Sequence, residues 1–362
     1  MSEENPKNAR LKLDWIDELE IRKADSTIDQ RLAALAQYEA ATGWADFAAI
    51  DRDKVKAYLE ALRQTPTRMR TKQAKVRHVR GFFDWMIADE RLRPKKVRKA
   101  LLSLRLTDKE TRAGNAVKTV NHATVAQILD TIQSMPKTNA VERRNRALLA
   151  FTLLSGARDG AIVTMKVKHV LWAEREVQQD PNEVATKASK MIQTWFFPVG
   201  DEIKAEVGDY LSYLKDELGF GPNDPLFPST RVGQDDLDRF APIGLTKDHW
   251  ASAAPMRKVF KDAFTANGMR YYNPHSFRNT LTALAYELGL GPMEMKAWSQ
   301  NLGHEKLDTT YNSYGNLDAN AQRRAMMNIG QNPKGDEAEA MRRMIEEAVA
   351  RQLKGGDGKE AA

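Results

Sequence analysis

The chain has 362 residues and a typical globular composition, with 42% hydrophobic and 29% charged residues. Its 56 Lys and Arg residues exceed its 49 Asp and Glu residues, and the net charge of +7 is compatible with a nucleic-acid partner without establishing one. The lack of cysteine excludes disulfides, thiolate metal sites and cysteine nucleophiles. No segment reaches the roughly 18 apolar residues of a membrane span, and no apolar run near the N-terminus is typical of a signal peptide. We therefore expect a cytoplasmic protein without a membrane partner, long enough for two domains.

Residues 1–105 are predicted to form a helical domain. Apolar residues recur at helical spacing in TIDQRLAALAQYEAATG, which ends at Gly43, and again in DRDKVKAYLEALRQ. Asp51 or Asp53 is the candidate N-cap of the second of these helices. A third helix is predicted over 68–90, with an apolar face that includes Val76, Val79 and Phe83.

Basic residues cluster in the first half of this third helix and directly after it. A charge run is usually an exposed helix face. A surface that contacts DNA phosphates is the interpretation we favour, because positive residues stand here almost without acidic ones. The candidate DNA-contacting residues are Arg68, Arg70, Lys72, Lys75, Arg77, Arg80, Lys95 and Lys96.

A linker is predicted over 106–119, which lacks apolar periodicity and is rich in charged residues, Thr and Gly. A second domain is predicted over 120–330. It opens with a helix that starts near Asn121 or Thr124, and ERRNRALLAFTLLSG predicts a helix that ends at Gly156. Short strands are predicted for EVQQD and IQTWFFPV, followed by helices that are interrupted by a loop-like interval over 220–236.

The second domain holds side chains suited to breaking a phosphodiester. Arg158 follows the apolar helix, where its planar guanidinium could hold a phosphate. His275 and Arg278 lie three residues apart at the predicted start of a helix, where backbone N–H groups favour anions. Each feature alone also has an ordinary interpretation, as a surface arginine or a chance pair.

A Gly-His pair and two tyrosines follow further along the chain. Gly303 and His304 come after a predicted helix, and Tyr311 and Tyr314 fall three residues apart on a predicted short helix. Half-buried packing is the commonest role of tyrosine, so the pair gains meaning only from the motifs around it.

Together these motifs resemble the tyrosine recombinases, also called the phage-integrase family. LGHEKLDTTYNSYGN is similar to the family's Leu-Gly-His segment with its nucleophilic tyrosine, and the spacing makes Tyr314 the match and Tyr311 a neighbour. PHSFRNT resembles the family's His-x-x-Arg box, which matches His275 and Arg278. SGARDGAIVTMKVKHV resembles the first arginine box, which matches Arg158.

The resemblance covers roughly residues 20–325 and includes the segment TKASKMIQTWFFPV, which is similar to the β-hairpin that carries the family's lysine. Lys187 is the match there, with Lys190 as the alternative. Two departures stand out. The family often has an acidic residue three positions after the first arginine, where this chain has Ala161, and the interval from Arg158 to Lys187 is somewhat long.

The resemblance implies a mainly α fold with a small antiparallel β-sheet, in which a helical core-binding domain precedes the catalytic domain. It implies that Arg158 and Arg278 bracket the scissile phosphate. It further implies that His275 moves a proton near the tyrosine and that His304 bonds the phosphate, while Lys187 protonates the departing 5′ oxygen. The expected activity is that of a site-specific recombinase, the integrase of a mobile element, which acts through a 3′-phosphotyrosine and a four-way junction.

No cofactor or metal ion is implied. The expected partners are double-stranded DNA, a homotetramer on two DNA sites, and accessory DNA-bending proteins. Residues 331–362 form a predicted tail, whose amphipathic stretch 336–353 could dock on its own chain, dock on a neighbouring protomer, or fray. Two alternatives remain at this point. One is a type IB topoisomerase or telomere resolvase, and the other is a non-catalytic DNA-binding regulatory or architectural protein.

Overall fold

The computed structural model describes residues 5–20, 25–115, 121–186, 190–234 and 239–304 of the chain. The chain divides into two compact units, Met1–Val117 and Lys118–Ala362. The division falls inside the predicted linker 106–119. Within the described ranges, no helix is long and apolar enough to cross a membrane. The predicted tail 331–362 lies outside the described residues.

The first unit is helical. Its helices are α1 (Pro6–Glu20), α2 (Asp25–Ala41), α3 (Arg52–Gln64), α4 (Met69–Ala88), α5 (Pro94–Ser103) and α6 (Asp108–Asn115). Of the two candidate N-caps of α3, Asp51 takes the role, because its carboxylate accepts the Lys54 N–H at 2.8 Å. Gly43 follows α2 with a left-handed φ of 63°, which a residue with a Cβ rarely adopts.

Aromatic side chains fill the core of this unit. Phe82 and Phe83 of α4 are fully buried and pack edge-on against Phe47, with the ring centroids of Phe47 and Phe82 separated by 4.7 Å. Tyr38 of α2 packs edge-on against Phe83 at 5.4 Å. Each buried ring contributes roughly 1.5–3 kcal/mol through removal of apolar surface from water, so the apolar face of α4 holds the unit together.

Part of the predicted linker is helical. Glu110 of α6 accepts both the N–H and the hydroxyl of Thr107 at 2.8 Å. Its other oxygen accepts the Arg63 Nε–H at 2.7 Å, and the Gln73 amide donates to the Thr111 carbonyl at 2.9 Å. These polar contacts attach α6 to α3 and α4. These polar contacts take the place of an apolar helix face, which is why the sequence of α6 shows no apolar periodicity.

The second unit combines helices with two small antiparallel sheets. Its elements are α7 (Val125–Ser134), α8 (Ala140–Ser155), α9 (Asp159–Ile162), β1 (Val170–Leu171), β2 (Glu176–Gln179), β3 (Ile192–Trp195), α10 (Asp201–Ser212), β4 (Thr230–Gln234), β5 (Phe240–Leu245), α11 (Ala254–Ala266), α12 (Pro274–Glu287) and α13 (Pro292–Asn301). The first sheet has the order β1-β2-β3, and β4 pairs with β5. The predicted mainly α fold with a small antiparallel sheet is confirmed.

The β4–β5 pair differs from the prediction, which places a loop-like interval over 220–236 and helix after it. The signals that favour a loop are present in the strands themselves, since Gly233 lies in β4 and Pro242 and Gly244 lie in β5. The register also shifts between Arg231 and Val232. Glycine and proline weaken a strand pattern and mark bulges, which explains why the sequence does not read as two strands.

Helix α8 forms the centre of the second unit, since almost every residue from Arg144 to Ser155 is buried. The helix begins with a capping box. The Asn139 side chain accepts the Glu142 N–H at 3.0 Å, and the Glu142 carboxylate accepts the Asn139 N–H. The helix ends at Gly156, as predicted. This burial places the residues after α8 in the interior, where the candidate site begins.

Candidate active site

Arg158 is positioned by the tight turn at the end of α8. Gly156 is left-handed there, with φ 59°, and a Cβ on it would lie 3.0 Å from side-chain atoms of Leu281, Leu302 and Phe197. Glycine is therefore required at this position. The chain then extends through Arg158, whose guanidinium is half-buried, and this burial lowers its pKa. The turn thus brings a partly desolvated cation close to the core.

Arg278 connects the turn after α8 to the turn after α13. It is 5% exposed and donates through Nη1 to the Gly156 carbonyl and through Nη2 to the Leu302 carbonyl. The same Nη2 lies 2.9 Å from His304 Nε2. Arg278 therefore fixes the turn after α8 against the turn after α13. The predicted partners Arg278 and His304 are brought into direct contact.

His275 lies one turn before Arg278, at the start of α12. Asn273 caps this helix by accepting the Ser276 N–H at 3.0 Å, and Pro274 occupies the first turn. His275 is exposed, whereas Arg278 is buried. The start of the helix thus places an exposed imidazole and a buried guanidinium one turn apart.

His304 is held as a neutral imidazole. Burial, followed by the positive charges of Arg278, Arg158 and His275, lowers the pKa of His304 to about 4. Because Nε2 accepts from the Arg278 guanidinium, the proton of the neutral ring belongs on Nδ1. The charges of Arg278, Arg158 and His275 all act on His304, so the fold brings these four residues into one site.

The site has a surplus of positive charge. Burial and the neighbouring charge of Arg158 lower the pKa of Arg278 to about 9, which leaves its guanidinium charged at pH 7. Arginine stays protonated in proteins, so Arg158 adds a second positive charge. Among the described residues, the groups bonded to Arg278 are two carbonyls and an imidazole, with no carboxylate. A buried charge without a counter-ion is costly. The arrangement therefore suits a bound anion with several acceptor oxygens, such as a phosphodiester.

Lys187, Tyr311 and Tyr314 lie outside the described residues, and Lys190 is exposed just before β3. Ile192, the first residue of β3, packs against the Gly303 backbone, where a Cβ would lie 3.3 Å from its Cδ1 atom. The β2–β3 connection that carries both candidate lysines therefore ends beside the turn that leads to His304.

The basic candidates of the first unit differ in their placement. Lys75 is half-buried and donates to the Gln37 side chain at 2.7 Å. Lys72 is 7% exposed and donates to the Arg63 carbonyl at 2.7 Å. The candidates that are exposed are Arg68, Arg70, Arg77, Arg80, Lys95 and Lys96.

The position of Lys72 differs from the expected DNA-contacting surface and has a physical cause. Lys72 falls on the same helix face as Val76 and Val79, which point into the core. Its amine satisfies a carbonyl in the last turn of α3. A count of basic residues along the chain does not distinguish this capping lysine from its exposed neighbours.

One charged pair beside the site was not predicted from the sequence. Asp159, directly after Arg158, accepts the Nε–H of Arg257 on α11 at 2.8 Å, and the same carboxylate oxygen lies 2.6 Å from Arg257 Nη2. Ala161, where the family often has an acid, is buried. The acid next to Arg158 was visible in the sequence, but its partner lies 98 residues away and gives no local signal. Among the described residues, no cluster of three or more His, Asp and Glu side chains could hold a metal ion.

The sequence profile of the phage integrase family matches residues 118–321, more than half of the chain. The chain therefore belongs to the phage integrase family and is a tyrosine site-specific recombinase. No curated protein sequence matches it significantly.

Solved structures share the fold at low sequence identity. A Tn1549 transposon integrase in complex with transposon right end DNA is 13% identical, with a TM-score of 0.59, and the match covers 88% of this chain and 98% of that one. A lambda integrase dimer bound to a COC′ core site is 16% identical, with a TM-score of 0.57 and coverage of 85% and 96%. The XerH recombinase bound to a palindromic difH substrate is 17% identical, with a TM-score of 0.56 and coverage of 84% and 80%.

Proposed function

We propose that this recombinase is the integrase of a mobile element, which cleaves and rejoins double-stranded DNA through a 3′-phosphotyrosine on Tyr314. The observation that carries the proposal is the pair of desolvated guanidiniums at Arg158 and Arg278, with a neutral His304 in contact with one of them. Structures of the Tn1549 integrase, lambda integrase and XerH are DNA complexes, which supports DNA as the partner.

Each residue has a role in this scheme that follows from its chemistry. The phenol of tyrosine has an ordinary pKa of about 10, so Tyr314 needs a proton acceptor, and the exposed His275 is our candidate. Arg158 and Arg278 offset the charge that develops on the non-bridging oxygens of the phosphate. His304 donates a hydrogen bond to the same phosphate.

The departing 5′ oxygen also needs a proton. A lysine of the β2–β3 connection, Lys187 or alternatively Lys190, supplies it in our scheme. The phosphotyrosine keeps the energy of the broken bond, so a 5′-hydroxyl from a second duplex can reverse the step without ATP. This strand exchange passes through a four-way junction in the proposed scheme. A homotetramer on two DNA sites, accessory DNA-bending proteins and a cytoplasmic location belong to the same proposal.

Covalent trapping tests the proposal. The protein is mixed with nicked duplexes taken from the DNA that flanks its gene, denatured in SDS and examined for a slowly migrating protein–DNA adduct. We expect an adduct with wild type and with Tyr311→Phe, and none with Tyr314→Phe. Loss of the adduct with Tyr311→Phe alone would move the nucleophile to Tyr311. Tight binding without any adduct would contradict the proposal and favour a regulatory role.

A two-site plasmid separates exchange from simple cutting and resealing. Recombinant junctions are expected from an integrase. Relaxation of supercoils without junctions would instead place the protein with enzymes that cleave and reseal one duplex, such as a type IB topoisomerase.

A further inference from the structure

The outer edge of β3 faces away from the rest of its sheet. β3 pairs with β2 on one side, where Trp195 lies opposite Glu176. The next residue, Phe196, donates its N–H to the Arg175 carbonyl at 2.8 Å. Because the main-chain groups of successive residues point to opposite edges of a strand, the N–H and carbonyl of Trp195 point outward. An outward pair of this kind normally needs a partner.

The side chain of Asn301 provides that partner. Its Oδ1 accepts the Trp195 N–H at 2.8 Å, and its Nδ2 donates to the Trp195 carbonyl at 2.8 Å. A carboxamide carries an acceptor and a donor in one plane, so it pairs with Trp195 as a neighbouring strand would. The Thr194 hydroxyl adds a bond to the Asn301 carbonyl at 3.1 Å. Asn301 thus fixes both the distance and the orientation of β3.

Asn301 is also one residue from the anion site. The next residue, Leu302, offers its carbonyl to Arg278, and His304 follows after Gly303. The chain from Asn301 to His304 therefore contacts β3 at one end and Arg278 at the other. Displacement of β3 relative to Asn301 would change the position of the lysine-bearing connection relative to the bound phosphate.

The opposite end of the connection has anchors of its own. The Ala185 N–H donates to the Thr164 hydroxyl at 2.9 Å, and Glu183 contacts His169 Nε2 at 2.8 Å. Along the sequence, the two candidate lysines follow a segment bonded to the region after α9 and precede the strand that is bonded to Asn301. Among these anchors, the Asn301 pair ties the connection to the segment that carries His304.

We propose that Asn301 is a positioning residue, whose side chain sets the β2–β3 connection against the Arg278–His304 site so that its lysine reaches the departing 5′ oxygen. The inference rests on the proposed function. In the cleavage step, a bond forms between the Tyr314 oxygen and phosphorus while the bond from phosphorus to the 5′ oxygen breaks. The lysine gives its proton to that oxygen. Misplacement of the lysine slows this proton transfer without removing the groups that hold the phosphate.

A substrate with sulfur in place of the bridging 5′ oxygen isolates the proton transfer. A thiol has a pKa of about 8.5, so sulfur leaves as a thiolate and needs no proton from the lysine. A variant impaired in lysine placement is therefore slow on the oxygen substrate and close to wild type on the sulfur substrate. A variant with a damaged phosphate site is slow on both.

The experiment measures single-turnover adduct formation on matched 5′-oxygen and 5′-sulfur duplexes. Asn301→Ala removes both side-chain bonds, and Asn301→Asp keeps the acceptor but places a carboxylate against the Trp195 carbonyl. We expect both to lower the rate on oxygen by roughly 10- to 100-fold, part of the roughly 100- to 10,000-fold that a positioned general acid contributes. On sulfur, we expect both to match wild type. The exposed neighbour Gln300→Ala is the control and should match wild type on both substrates.

Lys187→Ala and Lys190→Ala serve as references, and one of them should reproduce the pattern of Asn301→Ala. Equal loss on both substrates, or no loss on oxygen, would overturn the role of Asn301, as would full activity of both lysine variants on oxygen. If Asn301→Ala fails to fold, as judged by circular dichroism, Asn301→Asp decides the question. No adduct from wild type on either substrate would refute the proposed function itself.

Discussion

His304 shows how a few neighbours set the behaviour of one residue. Its ring is partly buried beside Arg278, with Arg158 and His275 also close enough to act on its charge. Each of these influences disfavours the protonated form. The sequence motif predicted that the Gly-His pair and the His-x-x-Arg box belong together. The neutral state follows from the burial of the imidazole and then from the nearby positive charges, which a motif does not show.

A pH dependence follows at the scale of this residue. Burial and the nearby positive charges lower the pKa of His304 to about 4 in the folded protein, whereas an unfolded histidine has a pKa of about 6.5. Between these values the unfolded state binds the proton and the folded state does not. Stability linked to His304 is therefore present above pH 6.5 and is lost as pH falls toward 4.

We expect the free energy of unfolding of wild type, measured with urea, to fall more between pH 7 and pH 4.5 than that of His304→Gln. The glutamine keeps a polar side chain but does not titrate. Identical slopes for the two proteins would contradict the lowered pKa. A histidine replaced elsewhere in the second unit, His249→Gln, serves as the comparison.

At the scale of elements, helix α4 separates two kinds of basic residue. Arg77 is exposed, whereas the Lys72 amine is used within the unit to satisfy the Arg63 carbonyl. The helix and its apolar face were predictable, because apolar side chains recur at helical spacing. The hydrogen bond from Lys72 to the Arg63 carbonyl was not predictable, since it depends on where the end of α3 lies.

We expect the two residues to respond differently when DNA binding is measured by fluorescence anisotropy over a range of salt concentrations. Arg77→Ala should reduce the slope of log K against log salt by about 1, the value for one lost phosphate contact. Lys72→Met should leave the slope unchanged and destabilise the protein by about 1–2 kcal/mol through the lost hydrogen bond. A reduced slope with Lys72→Met, together with an unchanged slope with Arg77→Ala, would contradict the placement of Lys72.

Other elements show where sequence patterns lose information. The β4–β5 hairpin contains the glycines and proline that normally mark loops, and α6 is held by Glu110 and Arg63 rather than by an apolar stripe. Asn301 pairs with Trp195 across 106 residues. Local periodicity reports on burial, so contacts made by polar groups between distant segments are invisible to it.

At the scale of the whole molecule, two compact units with separate cores predict separate responses to ligands. The anion site lies within the second unit, between α8, α12 and the turn after α13. A ligand that binds the folded form stabilises it in proportion to the logarithm of its concentration. Inorganic phosphate should therefore stabilise this unit through the guanidiniums of Arg158 and Arg278.

We expect calorimetry to show a rise in the melting temperature of the second unit as phosphate is added, equivalent to about 1.4 kcal/mol at ten times the dissociation constant. Arg278→Ala should abolish the rise, because it removes a buried cation of the site. Sodium chloride at equal ionic strength provides the control. An undiminished rise in Arg278→Ala would locate phosphate binding elsewhere.

The bonds of Arg278 also bear on how the protein is made. This side chain joins Gly156 to Leu302 and His304, so the anion site needs segments far apart in the chain. The first unit has its own aromatic core and leaves the ribosome before residue 304 is synthesised. A growing chain therefore exposes the basic residues of α4 before the segments that form the Arg158, Arg278 and His304 cluster are all present. If these basic residues contact DNA as the sequence predicts, newly made protein passes through a stage that can bind DNA but cannot yet cleave it.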